Sequence, residues 1–121
     1  MLLSENSQLD TGEPMPREDR RIMFDYTEVY KAIFTLCTQK EMRRPLPGEI
    51  KGIIEKAEDD QIVIVKIANL HQETAAATEY SRDFLAAALM LYCRACHIPL
   101  PKKALKSVEI NGDNVVLRIS I

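Results

Sequence analysis

The chain has no tryptophan, and only three cysteines, two histidines and four glycines among its 121 residues. Each shortage excludes something. Three cysteines are an odd number and imply no disulfide framework, so free thiols in a reducing cytoplasm are expected. Cys37, His71, Cys93, Cys96 and His97 could in principle hold zinc, but they lack the paired spacing of a finger. With so few glycines there is little material for phosphate-cradling loops. No P-loop, GxGxxG, GxSxG or HExxH motif is present either, so we expect neither catalysis nor a bound cofactor. A formal net charge of -2 argues against a nucleic-acid binder, because a phosphate backbone rewards excess positive charge. The opening MLLSENSQ has no basic n-region and no apolar h-region, so no secretory leader is expected. No internal repeat is visible.

What is present is an ordinary globular balance, 46% hydrophobic and 28% charged, at the size of one domain with one core. The most apolar stretch is Ser81 to His97, uncharged from Phe84 to Cys93. Its two stripes, Phe84-Ala88-Leu91-Ala95 and Leu85-Leu89-Tyr92-Cys96, predict a helix apolar on nearly every side and therefore centrally buried. Ten uncharged residues reach about 15 Å, half of a bilayer, so a membrane span is not expected. Ser81 is a suitable N-cap and Pro99 limits how far the helix can run.

Residues 1–22, with Gly12, Pro14 and Pro16, are polar and charge-mixed, and we expect a flexible N-terminal arm preceding a single domain over 23–121. A first helix is predicted over 25–42. Asp25 and Glu28 have the spacing of a capping box, Val29, Ile33, Leu36 and Cys37 share one face, and Pro45 forces a stop. Ile50–Lys56 and Gln61–Ala68 read as a hairpin, with a short helix over 50–56 as the alternative because Ile50, Ile53 and Ile54 also fit helical spacing. The run Ile62 to Val65 is β-branched on both faces and predicts a strand covered on both sides. Residues 69–80 carry no clear signal. Lys106–Ile110 and Val115–Ile121 read as a C-terminal hairpin. A four-residue loop, Asn111 to Asn114, sets Ile110 opposite Val115 and Val108 opposite Leu117, with Val115, Leu117, Ile119 and Ile121 facing the core. The expected class is α+β, ordered helix, β-hairpin, central buried helix, C-terminal β-hairpin.

Two constellations could carry chemistry. Cys93-Arg-Ala-Cys96-His97 has the spacing of a c-type haem attachment site, and its two thiols that of a redox pair. Neither is favoured. No further axial ligand follows His97, and the thiols lie at a helix C-terminus, where the dipole opposes thiolate formation. Two core thiols and a helix-ending histidine are the plainer reading. Arg43, Arg44, Lys102, Lys103, Lys106 and Arg118 could form a basic patch for phosphate or nucleic acid, although no aromatic interleaves it. The function expected first is a non-catalytic interaction or regulatory module that self-associates. The strand apolar on both faces asks for more cover than two helices supply, and the last strand, apolar to Ile121, would expose a pairing edge.

Overall fold

The computed structural model describes residues 17–69 and 71–121. They form, in order, β1 (Asp19–Asp25), α1 (Tyr26–Gln39), β2 (Glu49–Lys56), β3 (Asp59–Asn69), β4 (Thr74–Ser81), α2 (Arg82–Ala95), β5 (Leu105–Asn111) and β6 (Asn114–Ser120). This is a mixed α+β chain with two three-stranded antiparallel sheets, β1-β6-β5 and β2-β3-β4. The expected arm over 1–16 lies outside the described residues. Residues 19–22, assigned to the same arm, belong to β1, where Ile22 pairs with Leu117 and packs on the core.

Capping fixes both helices. Asp25 accepts from the Glu28 amide at 2.8 Å while Glu28 accepts from the Asp25 amide at 2.9 Å, the reciprocal bonds of a capping box. Ser81 accepts from the Phe84 amide at 3.0 Å. Both helices also end earlier than proline alone would dictate, and in the same way. In α1 the Met42 amide bonds back to the Cys37 carbonyl at 2.8 Å around Glu41, whose φ is 55°. In α2 the Ile98 amide does the same to Cys93 at 2.8 Å around His97, whose φ is 61°. These are paired Schellman ends with a left-handed residue just past each cap. Arg43 and Arg44 lie beyond α1.

The predicted hairpin of β2 and β3 is present, which settles Ile50–Lys56 as strand. The last hairpin has the expected register, Ile110 opposite Val115 and Val108 opposite Leu117, but a tighter loop. Asn111 and Asn114 pair, and Gly112-Asp113 makes the turn with a positive φ (53°) at its first position only, as a type II′ turn requires. Gly48, at φ 148°, is fixed for another reason: a Cβ there would lie 2.5 Å from the Ala68 carbonyl oxygen.

The element order contains a repeat that the sequence hid. Strand, helix and hairpin occur twice, as β1-α1-β2-β3 and β4-α2-β5-β6, and the helices begin 56 residues apart, at Tyr26 and Arg82. At that offset Ala32 matches Ala88, Cys37 matches Cys93 and Pro45 matches Pro101, while most other positions differ. Each unit lends its first strand to the other: β1 pairs with β6 and β4 pairs with β3.

One core joins the inner faces of both sheets with one side of each helix, and α1 packs on α2. Leu85, Ala88, Leu89 and Cys93 of α2 are buried, whereas Leu91 and Met90 are half-covered, so α2 is central but not enclosed all round. Val115, Leu117 and Ile119 are fully buried, as expected; Ile121, past the end of β6, is 57% exposed. β6 is the middle strand of its sheet, so the pairing edge expected of it is closed by β1 and β5.

Candidate interaction surface

Two three-stranded sheets have four outer edges, and the structure treats them differently. The edges of β2 and β5 touch each other and are clasped by Arg82, the first residue of α2. Its Nη2 lies 2.8 Å from Glu55 of β2, its Nε donates to the Val108 carbonyl of β5 at 3.1 Å, and its Nη1 donates to the Asp60 carbonyl of β3. Only 18% of the side chain is exposed. Tyr26, the matching residue of the first unit, makes the matching reach: its hydroxyl donates to the Gly112 carbonyl in the β5–β6 turn.

The edge of β1 carries Asp19, Arg20 and Arg21, and charges on an edge discourage pairing with another chain. Arg118 of β6 grips Asp19 with two bonds, at 3.0 and 2.9 Å, and that guanidinium holds the Asp19 carboxyl below its usual value. The edge of β4 is different. From Thr74 to Thr78 it reads TAAAT, without charge, proline, glycine or bulge, and its register with β3 is unbroken from Asn69–Thr74 to Ile62–Ser81.

The face that continues from this edge is also bare. In the β2-β3-β4 sheet the rows Ile50/Ile67/Ala76 and Ile53/Val65/Thr78 point inward, and Ile50, Ile53, Val65 and Ile67 are buried. The alternating rows, Gly52/Lys66/Ala77 and Ile54/Ile64/Glu79, point outward. Ile54 is 45% exposed, Ile62 and Ile64 are half-buried, and among the described residues no helix lies over them. A shallow groove of about 340 Å³ runs here, floored by Ala68, Ala75 and Ala77 between Lys51 and Lys66. The strand predicted to need cover on both faces thus has it, among the described residues, on one.

The six cations of the expected basic patch do not share a surface. Arg118 lies on the outer face of the β1-β6-β5 sheet, within reach of Asp19 and Glu109. Lys106 points to the opposite face, where its ammonium donates to the Pro101 and Ala104 carbonyls at 2.9 and 3.1 Å. Arg44 sits 5.5 Å above the Phe34 ring, and Arg43 is exposed beside it. Lys102 and Lys103 are exposed together in the turn before β5.

The CRACH residues are likewise divided. Cys93 is fully buried, Cys96 is exposed at the cap and His97 is the exposed left-handed residue. One surface therefore does not present both thiols. Burial pushes the Cys93 thiol up, the reverse of what a reactive thiolate needs. Burial also raises Cys37, and it lifts Tyr80, at the inner end of β4, to about 12. Among the described residues no group of three or more His, Cys, Asp or Glu side chains is placed to hold a metal ion. No described helix is long and apolar enough to cross a membrane.

Sequence reasoning missed the edge of β4 and the Arg82 clasp. The uncharged TAAAT was a usable signal, but alanines favour helix and masked it. Arg82 carried none, because its partners are 22 and 26 residues away. No protein-family model matches the chain, and neither a curated protein nor a solved structure does.

Proposed function

We propose that this chain is a small, non-catalytic interaction module that self-associates, and that the open side of the β2-β3-β4 sheet, its β4 edge with the outer face beside it, is its working surface. The carrying observation is the exposed apolar surface around Ile54, Ile62 and Ile64, over which no described element lies. An apolar patch of Ile54, Ile62 and Ile64, bordered by Lys66 and the Lys56–Glu79 pair, has the make-up of a contact surface. The commonest form of self-association is a two-fold homodimer, in which one patch meets its copy. Three free cysteines support a cytoplasmic setting for it. Sedimentation or light scattering tests the reading: a mass of twice 13.8 kDa is expected. A monomer at every concentration up to about 1 mM, below which only very weak pairing escapes notice, overturns it.

A further inference from the structure

We infer that the self-association just proposed, on which this inference rests, runs edge to edge. β4 of one chain pairs antiparallel with β4 of a second copy, centred on Ala77, and joins two three-stranded sheets into one of six strands. Four observations lead there.

First, the edges leave little choice. β2 and β5 close on each other through Arg82, and β1 carries three consecutive charged residues. Among the described residues only β4 offers, along its outer side, unpaired backbone groups in a regular strand with an uncharged stretch, Thr74 to Thr78, which is a template for another strand.

Second, the fold does not impose that bareness. β1 and β4 are the equivalent first strands of the two units. At the 56-residue offset Ala75, Ala76 and Ala77 stand where the first unit has Asp19, Arg20 and Arg21. One molecule thus carries a guarded and an unguarded version of the same edge. The guarded one shows that the architecture accommodates charges there.

Third, the strand is self-complementary, and one register joins the longest overlap to the whole uncharged stretch from Thr74 to Thr78. Directly opposed residues share a face of a sheet, so a two-fold antiparallel pair must be centred on a residue, not between two. Centring on Ala76 pairs only Thr74 to Thr78, because the residues that would face Glu79 to Ser81 lie in the turn before β4, where Glu73 has a φ of 51°; centring on Thr78 leaves Thr74 out. Centring on Ala77 sets Glu79 against Ala75, Thr78 against Ala76 and Tyr80 against Thr74, with no charges of one sign opposed.

Fourth, this pairing makes the outer faces of the two copies continuous. The outward row of Ile54, Ile64 and Glu79 then runs on into Ala75 and Ala68 of the second chain, and Ala77 meets its copy. A second copy is therefore the occupant to which the edge and its charge pattern conform.

Register-specific cross-linking is the test, in full-length chain carrying Cys96→Ser to remove the exposed native thiol. Directly opposed residues sit about 4.5–5.5 Å apart at Cα, inside the window a disulfide needs. Ala77→Cys should form an intermolecular disulfide in most of the protein on mild oxidation. Ala75→Cys and Glu79→Cys should each fail alone and cross-link when mixed. Ala77→Lys, which sets two ammonium groups opposite each other, should weaken the dimer at least tenfold while leaving the monomer's melting intact. A dimer in which Ala77→Cys links no better than Ala75→Cys, or in which Ala77→Lys leaves the dissociation constant unchanged, overturns edge pairing and leaves self-association standing. A wild-type monomer overturns both, and means that the edge is closed by another segment or another protein.

Discussion

Replacing Arg82 by methionine removes the guanidinium while keeping most of the aliphatic volume, and its cost can be worked from the three contacts. The Asp60 carbonyl belongs to an exposed residue and regains water, so its loss costs little. The Glu55 carboxylate is half-exposed, and an ion pair so placed contributes under about 1 kcal/mol. The Val108 carbonyl belongs to a buried residue on an edge that Arg82 itself covers. Leaving such an acceptor without a donor costs about 1–3 kcal/mol. Together these give about 2–3 kcal/mol, a drop of roughly 10–15 °C in melting temperature for a domain of this size. Urea unfolding of Arg82→Met beside Glu55→Gln separates the contributions, because the Glu55 variant should lose less than about 1 kcal/mol. If Arg82→Met stays within about 0.5 kcal/mol of wild type, the clasp is a surface contact and the closure of the β2 and β5 edges needs another cause.

Leu89, fully buried in α2, should cost about 3 kcal/mol as Leu89→Ala and abolish cooperative melting as Leu89→Asp, where an unpaired carboxylate meets the core; a soluble Asp variant with a near-native transition would show α2 to be peripheral. Cys93 and Cys96 should separate: Cys93→Ala loses about 1–3 kcal/mol of packing, while Cys96→Ser stays within about 0.5 kcal/mol, read by thermal unfolding. Asp19 has a folded value below its usual 3.8, so its contribution is fully present above that pH and disappears as pH falls through the lower folded value. Asp19→Asn should therefore flatten the acid limb of the stability profile and loosen amide protection in β1, and an unchanged acid limb would mean that β1 does not depend on the pair.

Local signals in this sequence were legible wherever a few neighbouring residues decide the outcome. The Asp25–Glu28 box, the Ser81 cap and the pairing of Val108 with Leu117 each depend on contacts within a short span, and each is in the structure. What stayed hidden depends on distant partners. Ile22 looked like the end of a tail because its partner, Leu117, lies at the other end of the chain. Cys96 sat on a convincing helical stripe, yet the helix stops one residue before it through the left-handed turn at His97, a position where glycine is the readable signal and none stands. The candidate surface was legible by half. The β-branched run from Ile62 announced a face in search of cover, but the edge beside it is written in alanines, whose preference for helix conceals the strand that β3 imposes.

The exchange of first strands ties this surface to the stability of the whole molecule. Each unit contributes two strands to one sheet and one to the other, so neither can complete a sheet alone. A linear repeat, in which units touch only their neighbours, can lose one unit and keep the rest; this arrangement cannot. β4 sits at the joint. Its outer side is the open edge, its inner side pairs with β3 of the other unit, and its last residue, Ser81, caps the helix whose first residue clasps β2 to β5. A second strand laid along β4 therefore holds the strand from which the inter-unit clasp extends. Binding that favours only the folded state stabilises it by mass action, so dimerisation there would protect both sheets at once.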